Sequence, residues 1–291
     1  MAYDIDLTAK YFDEHASTYS KQYETPAEFE PNQYRMDLVK EIIAGLKPGV
    51  ALDAGCGAGD LLLHLAKLGF EVSGADLSGG MASESCKRLA SAGFPGAKVI
   101  KAPLDDMGTF GDAQFDYIFC LGVFPYIPEE DNAKCYRELR RLLKKGGLLI
   151  SAHVNELFDA FTFNKYTIRF FEKNLWPLFK DSSELGLDEL KERLASLICN
   201  PDKPVNKNPD KSARDIIFTR GENPITFPEK LACHGFAHKS NAYYHFHALP
   251  PLLRNGNEAL MLASKSMEGR CSKAWQGVFL ASTFVNISTA V

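Results

Sequence analysis

Nine residues, LDAGCGAGD at 52–60, constrain what this 291-residue chain can fold into more than any other segment. Val50 to Ala54 run apolar apart from Asp53, as a buried parallel strand does. Gly55, Gly57 and Gly59 follow, and then Leu61, Leu62, Leu65 and Leu68 recur at helical spacing. Glycines suit a tight turn whose backbone a ligand approaches closely. Residues 70–76 read as a second strand ending in Asp76, 21 residues after Gly55. That is about the ~20 residues expected of a carboxylate that bonds ribose hydroxyls. A chance glycine turn with a solvated acid would not explain strand, turn, helix, strand and acid together, so the segment reads as a nucleoside site.

The spacing also discriminates among nucleosides. A dinucleotide loop reads G-x-G-x-x-G and rests its phosphates on a helix N-terminus. Here the third glycine comes one residue early and Asp60 follows it. An acid in the first helical turn suits the helix dipole but repels a pyrophosphate, and Asp53 at the strand end is a second departure from a phosphate cradle. S-adenosylmethionine (SAM) carries no phosphate, which favours SAM over NAD and hence methyl transfer.

On these residues the chain resembles the class I SAM-dependent methyltransferases, closely over roughly 35–155 and more loosely in its C-terminal strands. The resemblance implies SAM as cofactor, with S-adenosylhomocysteine (SAH) as its product. It implies that Asp53, Gly55, Gly57 and Gly59 belong to the turn around the methionine part, that Asp76 bonds the ribose, and that Leu77 flanks the adenine. Where the family often has an acid for the adenine amine stand Pro103 and Leu104, with Asp105 next. Cys120 and Leu121 end the fourth strand and line the cofactor by their backbone. Tyr19 and Arg35 stand where N-terminal helices of the family reach the SAM carboxylate, and an arginine fork suits a carboxylate. The ubiquinone-type O-methyltransferases carry a Glu-Val-Leu-Glu-His-Val metal pattern after the fourth strand. Gly122 to Ile127 lack both acids and the histidine, so no metal is expected.

Strand and helix patterns alternate along the chain: helices at 7–24 and 32–46, then 50–54, 59–68, 70–76, 79–92, 97–101, 115–121, 132–145 and 147–154. Gly146-Gly147 is expected to stop the helix at 132–145. The pattern predicts an α/β fold, a Rossmann-like doubly wound sheet. The family resemblance completes it to seven strands, the last antiparallel, with a helical cap inserted after the fifth. Residues 1–156 would hold the N-terminal helices and the SAM-binding core, 157–222 the inserted cap, and 223–291 the rest of the sheet with a small insertion at 250–270. A helix at 228–236 and strands at 237–249 and 275–287 are expected there. The stretch at 200–211, rich in Pro, Asn and Lys, reads as a loop.

Composition excludes several classes. The net charge of −4 and a pI near 6.0 leave no basic footprint for nucleic acid. The seven cysteines are odd in number and form no C-x-x-C pair, which favours reduced thiols and a cytoplasmic setting over disulfides or zinc. No apolar run of about 18 residues exists, so no membrane span is expected. The partner implied is a small molecule, and a homodimer is compatible with all of this.

A hydroxyl acceptor must lose a proton, and histidine suits that task near neutral pH. His153, at the end of the fifth strand, is the first candidate base, against the plainer reading of a core histidine. Tyr126 after the fourth strand is placed to touch substrate or orient a base. His245 and His247 alternate with Phe246, so both would face one side of their strand. With Phe163 and Tyr166 of the aromatic block in the cap, they are the substrate-side candidates, against ordinary packing. Lys203, Lys207, Lys211 and Arg214 are compatible with a polar, even anionic, metabolite. The reading is O-methylation of a sugar-like or natural-product molecule. An N-methyltransferase of a small amine, a non-catalytic SAM-binding protein and an NAD-dependent oxidoreductase are the alternatives.

Overall fold

The computed structural model describes residues 4–19, 30–181, 186–198, 217–251 and 258–291. Helix α1 (Ile5–Tyr19) and helix α2 (Glu30–Ala44) precede the sheet. Strand β1 (Val50–Ala54), helix α3 (Asp60–Lys67), β2 (Glu71–Asp76), helix α4 (Gly79–Ser91) and β3 (Lys98–Lys101) follow. Then come β4 (Phe115–Leu121), helix α5 (Asn132–Leu142), β5 (Leu143–Val154), β6 (Phe236–Phe246) and β7 (Ala281–Ala290). The seven strands lie in the order β3-β2-β1-β4-β5-β7-β6. β1 to β5 pair in parallel, and β7 runs antiparallel between β5 and β6. The order reverses at β1, between β2 and β4, and ligands of open α/β sheets bind at the strand ends beside such a switch point.

Both faces of the sheet are covered. One buried cluster joins Leu52, Ile118, Leu149 and Phe284 to α5 through Tyr136, Leu139 and Leu142. The other joins Ala51, Val72, Phe119, Ile150 and Val285 to α2 and α3 through Val39, Ile43, Leu62 and Leu65. Central strands buried on two faces explain the near-continuous apolar runs in the sequence.

Two expected boundaries move. The helix before β5 ends at Leu142, not at the Gly146-Gly147 pair. Phe115 pairs with Leu143 while Tyr117 pairs with Leu148, so the extra residues bulge out of the strand, with Gly146 at φ 79°. The final strand starts at Ala281. Residues 277–280, expected in that strand, form a short helix.

Between β5 and β6 the described residues form helical segments at Glu156–Asp159, at Lys165–Phe170 running through a π-helical stretch (Phe171–Leu175) into Trp176–Phe179, at Leu187–Leu197 and at Phe227–Ala232. The loop at 200–211, residues 20–24 and 252–257, and Lys203, Lys207, Lys211 and Arg214 lie outside the described residues. Among the described residues, no helix is long and apolar enough to cross a membrane.

Candidate active site

The glycine turn folds back onto the end of β2. The amides of Gly55 and Cys56 donate to the Ala75 carbonyl at 2.7 and 3.0 Å, and the Gly57 amide donates to Asp76 Oδ2 at 2.8 Å. Asp76 Oδ1 accepts from the Ser78 amide at 2.9 Å. Gly55 has φ 92°, and a Cβ there would meet Val123 Cγ2 at 2.1 Å, so the turn and the loop after β4 close on each other only over a bare backbone. Burial raises the Asp76 carboxyl pKa, against the two amides that lower it.

A cavity of about 240 Å³ opens beside this turn, at the carboxyl ends of β1, β2, β3 and β4. Of the residues expected at the cofactor, Tyr19, Arg35, Asp53, Gly55, Gly57, Asp76, Leu77, Leu104 and Leu121 all line it, and so does Tyr126. Gly59 does not. It has φ 85°, and a Cβ there would sit 2.5 Å from Ser85 Oγ, so its part is to let α4 pack against the turn.

The electrostatics are dominated by acids. Asp53, Asp60, Asp76, Asp105 and Asp131 line the cavity, with Arg35. Asp53 is buried, and its pKa is pushed up to about 8, first by burial and then by the Asp76 charge, with Arg35 acting the other way. Asp60 is paired with Arg88 of α4 at 2.7 Å, which offsets the charge that the sequence sets against a phosphate. The donor set fits a cationic nucleoside: a half-buried carboxylate at the β2 tip, a side-chain-free turn, and buried acid beside them.

Other parts of the site were not foreseen. Ile5, Thr8 and Phe12 of α1 wall the cavity, as do Ile127, Asp131 and Cys135. The Phe12 ring meets Tyr126 edge-on at 5.4 Å. The helix itself is expected at 7–24 with Tyr19 at the cofactor, and the spacing of Thr8, Phe12, Ala16 and Tyr19 on one helical face is the signal that would have added its other wall residues. Asp13 ties this helix down, since its carboxylate accepts from the Ser78 hydroxyl and, at 2.9 Å, from the Gly80 amide.

Several expected residues lie elsewhere. His153 is a core residue and does not reach the cavity. Its ring packs among Phe124, Phe227 and Phe284, and its Nε2 lies 2.8 Å from Ser151 Oγ. Burial, then the charges of Arg220 and Lys230, hold its pKa well below the usual value. His245 and His247 face each other at 4.6 Å where the chain kinks, with His245 at φ 57°. His245 Nδ1 lies 2.6 Å from Ser282 Oγ, and His247 stacks near Phe158. Neither borders the cavity. Phe163 is half-exposed, and Tyr166 borders a separate small cleft with Glu156 and Lys173. Among the described residues, none from 157–222 lines the main cavity, Phe163 and Tyr166 included.

The fold and the site together define an α/β nucleoside-binding enzyme of the methyltransferase type. Residues 51–147 match the family model described as a methyltransferase domain. The ubiquinone biosynthesis O-methyltransferase of Alkalilimnicola ehrlichii is 28% identical over 185 residues, 61% of this chain and 72% of that protein. The Bordetella avium enzyme of the same name is 24% identical over 167 residues, 55% of this chain and 67% of that protein. Among solved structures, magnesium protoporphyrin IX methyltransferase from Synechocystis PCC 6803 with bound SAH superposes at a TM-score of 0.58. It shares 15% identity and covers 99% of this chain and 100% of that one, which is a likeness of fold. The chain carries a methyltransferase domain over 51–147 on the class I methyltransferase fold, and it is a SAM-dependent methyltransferase.

Proposed function

We propose that this enzyme methylates a hydroxyl on a small, uncharged acceptor with an aromatic or otherwise apolar body, a natural-product-like molecule rather than a sugar. One observation carries the reading: beyond the nucleoside turn, the cavity wall is apolar, made by Ile5, Phe12, Tyr126 and Ile127. Oxygen as the acceptor atom is supported by the relatives' name, O-methyltransferase. The carboxylate-rich lining disfavours an anionic acceptor, by like-charge repulsion in a partly desolvated site.

SAM, when bound, supplies an electrophilic methyl group on a sulfonium. In this reading Asp76 holds the ribose, Arg35 and Tyr19 take the carboxylate, and Asp53 takes the ammonium. Leu77, Leu104 and Leu121 bracket the adenine. The apolar wall excludes water and aligns the acceptor, and orientation of this sort is worth roughly 7–11 kcal/mol. No histidine borders the cavity among the described residues. The proton of the acceptor hydroxyl therefore passes to a carboxylate of the lining as the methyl group is transferred, and a phenol, with a pKa of about 10, is the hydroxyl that so weak a base serves best. Tyr126 orients it.

The test is SAH release from purified protein with SAM and matched panels of phenols, sugars, amines and carboxylates. Turnover of phenols is expected, and turnover confined to sugars or carboxylates would refute the reading. A second reading, an amine that enters as its cation and gives its proton to a lining carboxylate before transfer, draws support from the five aspartates that face a single arginine among the described lining residues. The amine panel decides it.

A further inference from the structure

The insertion lines none of the cavity among the described residues, yet its returning end holds the wall that does. The geometry points to Arg220 as a positioning residue for the loop carrying Tyr126 and Ile127. This inference rests on the reading of the main cavity as the donor and acceptor site.

After β4 the chain makes a tight turn, Phe124–Tyr126, with the Tyr126 and Ile127 amides donating to the Val123 and Phe124 carbonyls at 3.0 and 3.1 Å. Phe124 is buried beneath it, while Val123, Tyr126 and Ile127 face the cavity. Two carbonyls on this turn point away from the cavity, and one residue takes both. The Arg220 amide donates to the Pro125 carbonyl at 2.9 Å, and its Nε donates to the Ile127 carbonyl at 2.6 Å. Those bonds span 93 residues of sequence for Ile127 alone.

The guanidinium is fixed in turn. Its Nη1 binds Glu222 Oε1 at 2.5 Å and Glu129 Oε2 at 2.9 Å, and Lys230 binds the same two carboxylates at 2.6 Å each. The Arg220 side chain is 9% exposed and that of Glu222 10%, so this pair is desolvated, while Glu129 closes the cluster from the solvent side at 62% exposed. The strand end supplies the anchor: the Glu222 amide donates to the Val154 carbonyl at 2.8 Å, and the Glu156 amide to the Glu222 carbonyl at 3.0 Å. The end of β5, the segment returning from the insertion, and the turn after β4 are thereby one unit. A planar fork can serve a carbonyl and two carboxylates at once, which an ammonium cannot do in the same directions.

The experiment compares the full-length wild-type protein with Arg220→Lys and Lys230→Met, by hydrogen–deuterium exchange over residues 122–131 and by calorimetric SAH affinity. Arg220→Lys keeps a charge for Glu222 and Glu129 but loses the bond to Ile127. Lys230→Met removes a partner of the same carboxylates without touching the turn. In Arg220→Lys, exchange of the Tyr126 and Ile127 amides in the free protein is expected to quicken roughly tenfold, with a comparable loss of SAH affinity, the scale of one hydrogen bond to a charged group. Lys230→Met is expected to leave the turn as it is in wild type. Equal quickening in both variants would reduce Arg220 to a member of a stabilising cluster. An Arg220→Lys turn that exchanges like wild type, or one that quickens with SAH affinity intact, also overturns the inference. Wild-type protein that binds no SAH would instead refute the cofactor site, while the exchange data still decide what Arg220 holds.

Discussion

Asp53 and His153 are both buried, and their titrations are displaced in opposite senses. Asp53 keeps its proton up to about 8 in the fold, against 3.8 for the free group. The unfolded chain therefore binds fewer protons between those values, and the Asp53 contribution to stability, complete below the lower one, is lost as pH rises toward the upper. His153 is neutral in the fold, while the unfolded chain takes up a proton below 6.5. Its contribution is present above that pH and lost as pH falls. Between 6.5 and 8 the Asp53 effect acts without the histidine's. Ligand-free protein is expected to lose stability across that window in denaturant titrations, and Asp53→Asn to flatten the loss. The same carboxyl lines the cavity proposed for the donor: a cation binding beside a protonated Asp53 favours its ionisation, so SAM binding at pH 7 should release a proton. Calorimetry in two buffers of different ionisation enthalpy reads that release, and Asp53→Asn should abolish it. For His153 the expectation is negative for catalysis. His153→Gln should lower Tm by disturbing aromatic packing while kcat stays near wild type, and a collapse of kcat at unchanged stability would restore the histidine as a base.

At the scale of elements, α1 is the part of the site whose attachment is most local. It covers the cavity with Ile5, Thr8, Phe12 and Tyr19, and Asp13 ties it to the start of α4. Asp13→Ala should weaken SAH binding roughly tenfold, the worth of a charge-assisted bond pair in a partly exposed place, and quicken amide exchange along Ile5–Tyr19. Unchanged affinity would mean that α1 is not a working wall. The unit from β1 to β2 was legible in the sequence because strands buried on both faces are written as apolar runs and the turn needs glycine. The start of β5 was not, because Gly146-Gly147 signals a helix stop and a strand bulge alike. His153 was misplaced for a related reason. Alternation says that neighbouring residues of β5 face opposite ways, but only packing decides that His153, with Ser151 beside its Nε2, turns toward Phe227 and Phe284. Arg220 carried no signal of its part in the turn, since its bonds there are to backbone carbonyls far away in sequence.

At the scale of the molecule, the methyltransferase match stops at 147, and the C-terminal half contributes β6, β7 and the clamp on the turn after β4. In the proposed reading the donor site is held by parts from both halves, and filling it should stabilise the whole chain. SAH at 100 times its Kd should add about 2.7 kcal/mol, a rise in Tm of several degrees, on the scale of roughly 2–4 °C per kcal/mol for chains of 150–250 residues. NAD at the same concentration should add nothing. Ser78 has a consequence for how that filling proceeds. Its amide holds Asp76, its hydroxyl donates to Asp13, and the same oxygen accepts from the Met81 amide to cap α4. One fully buried serine is thus shared by the carboxylate proposed to grip the nucleoside and by the fastening of the helix above it. Thermodynamic reciprocity then requires that whatever factor the fastened helix adds to donor affinity, the donor adds to the fastening. Loading and covering are two readings of a single equilibrium.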